Sequence, residues 1–361
     1  MARRLSALFV VPVLILLLAA PGSAAGHTPG DVYHRTKLVA DEAGAAQSQD
    51  PNLVNAWGLA AGPGTPWWVA DNEPSLSTLY DGAGVRQGLV VSVPGAPTGL
   101  VFNGGPGFVV NDGMGHSGAA LFLFSTESGA IFGWNPAVPP PPPSTQAQLA
   151  KDRSDVGAIY KGLAIDPEAG RLYATDFHNA RVDVFDTSFG LVNLGPGAFT
   201  DPKLPADFAP FGIQDIGGTV FVTYAKQDAD AEDEVDANSL GFVDAYDTDG
   251  MLLGRVATRG LLNAPWGLAM APAEGFGGFS GDLLVGNFGN GQINAYAQRP
   301  NGTWKHDGRM RTDSGKPLTV DGLWALQFGQ GPRSGSPTTL FFTAGPDHES
   351  HGLFGTIEAG A

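Results

Sequence analysis

A short motif built around one small residue recurs six times along the chain, at Gly58, Gly99, Gly162, Gly212, Gly267 and Ala325. Internal repetition of this kind constrains a fold more than any single motif, because each unit must bury its apolar face against its neighbours. Trp57–Ala60 (WGLA) is followed by Trp67–Asp71 (WWVAD) and Ser77–Asp81 (STLYD). The same order returns at Lys161–Ile165, Arg171–Asp176 and Arg181–Asp186, again at Phe211–Ile213, Thr219–Tyr224 and Gly241–Asp247, and at Trp266–Ala269, Asp282–Asn287 and Gln292–Tyr296. Weaker copies start at Thr98 and Trp324. The spacings run from 41 to 63 residues, room for four short antiparallel strands, which is the content of a propeller blade. Composition agrees. Glycine and proline together fill 80 of 361 positions, and that density of helix breakers excludes an all-helical fold. The expectation is an all-β, six-bladed β-propeller.

The ends of the repeat array predict how the ring closes. After Trp324 only three strands remain, so the last blade lacks its outer strand. Val32–Val39 alternates and carries β-branched and aromatic residues, and docking it there would pair the open edges. Two irregularities remain. The insert at 136–144 holds five consecutive prolines, Pro139 to Pro143, and is expected as an extended polyproline connector at the surface. In the second repeat, either Phe108–Val110 or Leu121–Phe124 could serve as second strand.

Residues 1–25 read as a cleaved export signal. Arg3 and Arg4 precede an uncharged run from Leu5 to Ala20, and Ser23-Ala24-Ala25 supplies small residues for cleavage. The mature chain is expected to start near Gly26 as a single propeller domain, 26–361, secreted or extracytoplasmic, monomeric and without a membrane span. The formal charge of −16 disfavours nucleic acid as a partner. There is no cysteine, which excludes thiol catalysis, thiolate metal sites and disulfides.

Four longer stretches carry a family likeness. Asp50–Gly58 (DPNLVNAWG), Tyr173–Asn179 (YATDFHN), Tyr224–Asp230 (YAKQDAD), and Thr343–Asp347 with His351–Gly355 resemble an uncharacterised family of exported bacterial proteins. That resemblance implies a propeller and export, and no established activity. At the level of the fold alone the repeat is similar to NHL-type blades and to calcium-dependent, gluconolactonase-like propellers.

Strand order places a candidate surface. If the Gly-Leu strand is innermost, its start and the end of the following strand lie at one mouth of the channel. The first set is Asn55, Trp57, Lys161, Trp266, Asp321 and Trp324. The second is Asp71, Asn72, Asn111, Asp112, Asp176, His178, Asn179, Lys226, Asp228, Asn287, Asp347 and His348. A polar mouth with aromatic walls suits a ligand, whereas the same Asp and Trp residues could simply cap turns and pack blades. The aspartates at Asp81, Asp186 and Asp247 belong to hairpin turns on the opposite face. No serine elbow appears, and the His348–His351 stretch (HESH) lacks the spacing of a helical zinc motif. His178 is a candidate base.

Three functions follow from this surface. The first is binding of a small or polymeric extracellular ligand. The second is a Ca²⁺-assisted lactone or ester hydrolase, with oxygens from Asp71, Asp176, Asn287 and Asp347 around the ion but no evident glutamate base in the ring. The third is a protein-binding scaffold. The acidic run Asp228–Asp236 offers a separate calcium site through Asp228, Asp230 and Glu232, or a solvated loop with Lys226 paired locally.

Overall fold

The computed structural model describes residues 32–360 except Ala169. Among these residues the only helical segments are two single 3₁₀ turns, Ser154–Val156 and Gly277–Phe279, and the rest of the regular structure is strand. Six of the sheets, antiparallel apart from the two-residue strand Ser48–Gln49 that pairs parallel with Tyr33–Ala40, are arranged radially, so the chain is a six-bladed β-propeller. The innermost strands are Ala56–Ala60, Pro97–Phe102, Tyr160–Asp166, Phe208–Ile216, Pro265–Met270 and Leu323–Phe328, each starting one repeat motif.

The repeat glycine follows from this packing. A Cβ built on Gly58 would sit 2.3 Å from the Thr98 carbonyl oxygen, and one on Gly212 would sit 2.1 Å from that of Trp266. In both cases the obstacle is the backbone of the next blade's innermost strand. Neighbouring strands around the channel approach so closely that only a hydrogen fits between them. Hydroxyls then tie blade to blade: Thr98 donates to Tyr160 O at 2.7 Å and Thr175 to Phe211 O at 2.7 Å. Thr343 does the same to Trp57 O across the seam where the ring closes.

The core lies between blades. Trp68 of the first blade stacks on Phe122 of the second at 4.3 Å, and further apolar layers fill the remaining interfaces. Burying aromatic side chains of this size stabilises by about 1.5–3 kcal/mol each, which serves a chain with no disulfides.

Closure occurs as the sequence predicts. Tyr33–Ala40 pairs antiparallel with Leu353–Ala359, from Tyr33 opposite Ala359 to Ala40 opposite Leu353, as the fourth strand of the last blade. The register question in the second blade resolves to Phe122–Thr126, whose side chains are all buried. Val109–Asn111 instead pairs with Ser117–Ala119 in a separate hairpin. The third blade has three strands, with a single bridge from Phe185 to Leu191 where a fourth would run. Its continuation through Gly195-Pro196-Gly197 cannot sustain a ladder.

The proline insert departs from the expected extended connector. It is no extended spacer: Ser144 N–H bonds back to Pro136 O at 2.9 Å, Val138 is buried, and the Trp134 indole donates to Ser144 O at 2.9 Å. Asp81, Asp186 and Asp247 each accept two backbone N–H groups of their own hairpin turn, as turn chemistry requires. The signal segment 1–25 lies outside the described residues.

Candidate functional site

The innermost strands begin at one mouth of the channel, and that mouth is filled by aromatic rings. Trp57 and Trp324 stack with centroids 3.9 Å apart, Phe288 stacks on the other side of Trp324 at 4.1 Å, and Trp266 packs edge-on to Trp324 at 5.8 Å. Three of these rings come from the residue before, or just beside, a repeat small residue, where the backbone turns the side chain toward the axis. The Trp266 indole donates to Lys161 O at 3.0 Å, and the Trp324 indole to Asn55 Oδ1 at 3.0 Å.

Lys161 lies on top of this plug. Its side chain is 2% exposed, with Nζ 5.2 Å from the Trp57 ring centroid, 2.5 Å from Glu127 Oε1 and 3.0 Å from Asp233 Oδ1. Burial alone would lower the ammonium pKa, but the field of Glu127, Glu234 and Asp233 outweighs it, and the lysine stays charged. Glu234 is pushed up to about 8, chiefly by burial, against the pull of Lys161 and with Glu349 adding repulsion. Glu349 is also raised, by burial first, although Asn55 and Lys161 oppose the shift. Four acids therefore surround one ammonium, and at neutral pH Glu234 is largely a neutral acid that can donate a proton.

The second layer fixes these acids. Asn72 Nδ2 donates to Glu127 Oε2 at 3.1 Å, and Asn55 Nδ2 donates to Glu349 Oε2 at 2.7 Å and to Asn72 Oδ1 at 3.3 Å. Glu349 reaches the mouth from a left-handed run: Asp347, His348 and Glu349 have φ of 55°, 52° and 66°, and Asn55 has 46°. L-residues pay roughly 1–2 kcal/mol each for that conformation, and such strain concentrates at functional sites.

Of the residues expected at this mouth, Asn55, Trp57, Asn72, Lys161, Trp266 and Trp324 come together. Others do not. Asp71 is fully buried inside the first blade, where desolvation and then Asp50 raise its pKa well above the ordinary value. Asp176 accepts from Asn179 N and Nδ2 and pairs with Arg181 at 3.1 Å. Asn287 bonds Leu261 O and Asn290 within its own loops. Asp176 and Asn287 close local structure at the end of a second strand, whereas both Asp71 carboxylate oxygens are buried without a hydrogen-bond partner. Asn179 is exposed beside Asp176. Asn111 and Asp112 lie on the separate hairpin, with Asp112 bonded to His116. Asp347 and His348 are exposed on the rim, where Asp347 N–H donates to Asp321 Oδ2.

The acidic loop also departs from expectation. Lys226 pairs with Asp207 at 3.4 Å rather than with its own loop. Asp228 Oδ1 accepts Glu232 N–H and thereby closes its own turn, leaving Asp230 and Glu232 exposed. Among the described residues no group of three or more His, Asp or Glu side chains is arranged to hold a metal ion. What the loop does is fold over the mouth: His178 Nδ1 contacts Ala231 O at 3.2 Å, Gln227 donates to Phe177 O at 2.7 Å, and Asp233 reaches Lys161.

Sequence reasoning missed Glu127, Asp233, Glu234 and Glu349, and it found no glutamate for the ring. Glu127 directly follows Phe122–Thr126, so choosing that register exposes it. The other three sit inside segments that sequence patterns present as metal-binding or solvated. Beside the rim, a hollow of about 340 Å³ opens between the closing strand and the 345–353 loop. There His351 Nδ1 lies 2.8 Å from Asp41 Oδ2, which raises the imidazole pKa.

No protein-family model matches the chain. It is 32% identical to the uncharacterised protein L690 of Acanthamoeba polyphaga mimivirus over 85% of this chain and 81% of that protein. It is also 32% identical to the uncharacterised protein R648 of the same virus, over 89% and 78%. These relatives are viral, not the bacterial proteins that the sequence resemblance names. Among solved structures, a protein of unknown function from Bacteroides thetaiotaomicron superposes with a TM-score of 0.58 at 11% identity, covering 91% of this chain and 76% of that one. A streptogramin B lyase does so at 0.50 and 11%, covering 92% and 98%. At such identity the likeness is one of fold. Among the described residues no helix is long and apolar enough to cross a membrane.

Proposed function

The chain belongs to the family of the uncharacterised mimivirus proteins L690 and R648, and on that premise we propose that it binds a small hydroxylated ligand, a sugar or polyol, at the channel mouth where its innermost strands begin. The observation that carries this reading is Lys161, an ammonium buried over tryptophan among Glu127, Asp233, Glu234 and Glu349. A buried ion cluster is a poor way to stabilise a fold, since apolar residues of similar volume do as well or better. Its place at a mouth, with strained backbone at Asn55 and Asp347–Glu349 beside it, supports a binding role.

The chemistry of the ligand follows from what the site already contains. Lys161 supplies the positive charge, so the ligand need not be a cation. Carboxylates such as Asp233 and Glu349, each with one oxygen held, accept O–H groups, Glu234 as a neutral acid can donate one, and the half-buried Trp266 offers an apolar face to C–H groups. Calcium chemistry finds no matching set of donors here, and no step is assigned to it. A second reading is favoured by Glu234 alone. An acid that titrates near 8 in such a mouth suits proton transfer in hydrolysis of an ester or lactone. Either activity would serve an exported protein, as residues 1–25 suggest.

Titration calorimetry with glucose, galactose, myo-inositol and glycerol tests the binding reading. Saturable heat with at least one, weakened tenfold or more in Glu349→Gln, supports it. Absence of binding across the panel, or equal binding by the variant, would overturn it. Turnover of a chromogenic ester that disappears in Glu234→Gln would favour the second reading.

A further inference from the structure

The ring closes where the 345–353 loop meets the end of the closing strand, and His351 stands in that seam. Its Nδ1 lies 2.8 Å from Asp41 Oδ2, and its Nε2 lies 3.7 Å from Glu42 Oε1. A carboxylate only accepts, so Nδ1 carries the proton of that bond. The main chain repeats the tie: Gly352 N–H donates to Asp41 Oδ1 at 2.9 Å, and Asp41 N–H to Gly352 O at 3.4 Å. From the other side, Asn55 N–H donates to His351 O at 3.1 Å. His351 is thus tied to the end of the closing strand and to the entry of the first blade at once.

Two protonation states of the imidazole give two different seams. The neutral ring holds Asp41 through Nδ1 and turns a bare lone pair toward Glu42. The protonated ring donates from both nitrogens, so Glu42 becomes a second partner across the same seam. We propose that His351 is a pH-sensitive latch on ring closure, which engages two carboxylates when protonated and one when neutral, and thereby sets how firmly Glu349 is held at the Lys161 mouth.

The link to the mouth is a short chain of contacts. Asn55, which bonds the His351 carbonyl through its main chain, donates from Nδ2 to Glu349 Oε2 at 2.7 Å and accepts the Trp324 indole N–H at 3.0 Å. Asp347, His348 and Glu349 all have left-handed backbone, a strained run that persists only where its surroundings hold it.

The charges that face the imidazole favour its protonated form. The Asp41 hydrogen bond raises its pKa most, desolvation opposes that, and the charges of Asp41, Glu42 and Asp347 add to the rise. Arg35, Lys37 and Asp321 line the same hollow, where Arg35 donates to Thr319 O at 2.5 Å and Asp321 Oδ2 accepts Asp347 N–H at 3.0 Å. Asp50, which precedes the first blade, is engaged by the Tyr80 hydroxyl at 2.8 Å and by Arg86 at 3.0 Å. Because the folded value is raised, the stability that the latch contributes is fully present below the ordinary 6.5 and is lost as the pH rises through the folded value.

The test uses the full chain without ligand, so its outcome is independent of the fate of the polyol site. Imidazole C–H and indole N–H signals are followed by NMR from about pH 5 to 8 at constant ionic strength. The His351 signal, assigned by its loss in His351→Gln, should titrate above 6.5. The Trp324 indole signal should move with the same midpoint, and His351→Gln should lose that movement while keeping any that follows Glu234. The melting temperature of wild type should exceed that of His351→Gln most at the acid end, and the difference should shrink as the pH rises. Glu42→Gln, at an exposed position, should lower the His351 midpoint and reduce the Trp324 movement, and it decides alone if His351→Gln fails to fold. A midpoint at or below 6.5 or unchanged in Glu42→Gln, a Trp324 signal that titrates identically with and without His351, or a melting-temperature difference independent of pH would overturn the proposal.

Discussion

The two mouths of one channel solve the same problem in opposite ways. Where the innermost strands begin, the opening is packed with Trp57, Trp266, Phe288 and Trp324 and carries its own cation, Lys161, paired with acids on surrounding loops. Where they end, a cavity of about 200 Å³ remains, lined by glutamines and one carboxylate, with no basic residue among those described. The strands between them are nearly equivalent, with the same glycine seam from blade to blade. A repeat fold thus fixes the barrel of the channel and leaves its ends to loop residues, and charge at each end is a local choice. An end that holds its own ammonium suits a neutral, hydroxylated ligand.

The sharpest way to break this contrast is to open the filled mouth. Trp324→Ala removes a fully buried ring from the centre of the plug and should cost about 3–5 kcal/mol in chemical denaturation. A loss below about 1 kcal/mol would mean that the plug does not hold the blades together. Lys161→Met comes next. It leaves Glu127, Glu234 and Glu349 without their counter-ion, and because Glu127 and Asp233 are partly solvated the cost should be roughly 3 kcal/mol, at the low end for a broken buried pair.

Titration sharpens the comparison further. Glu234 titrates at about 8 in the folded chain against 4.5 for an ordinary glutamate. Between those values the unfolded chain has lost a proton that the folded chain still holds. Stability contributed by this group is therefore present below about pH 4.5 and is lost as the pH rises toward 8. Denaturation midpoints of wild type should fall relative to those of Glu234→Gln across that window, and parallel curves would contradict the assignment. The smallest effect belongs to the open mouth. Asp215→Asn and Gln327→Leu should each change stability by no more than about 1 kcal/mol, since neither side chain holds another group in place through its free oxygen.

The fold was legible in the sequence because its determinants are local and repeated. A glycine that must face the next blade's backbone and a period-two apolar pattern recur from unit to unit. The closing strand was legible for the same reason: Leu323–Phe328, Leu340–Ala344 and Leu353–Ala359 left one edge open, and Tyr33–Ala40 alternates to fit it. Half of the site was legible. Trp57, Lys161, Trp266 and Trp324 stand at fixed offsets from the repeat residue, so strand order alone placed them. The acids were not, because Glu127, Glu234 and Glu349 arrive from loops whose paths depend on long-range contacts such as His178 to Ala231 and Asn55 to Glu349. Asp176 and Asn287 show the converse. Their position at a strand end was read correctly, but the side chain's direction is set by the turn it closes, and that is invisible to spacing.

The central question is whether the Lys161 mouth receives a neutral hydroxylated ligand. Indole N–H signals report on it directly, because the chain has seven tryptophans and Trp57, Trp266 and Trp324 meet at this one place. In a ¹⁵N-labelled sample titrated with the sugar and polyol panel, the account predicts saturable movement of the Trp266 indole signal, whose N–H bonds Lys161 O, while Trp134 on the second blade stays still. Lys161→Met should abolish that movement. Indole signals that stay fixed for every sugar and polyol, or that move equally in Lys161→Met, would contradict it.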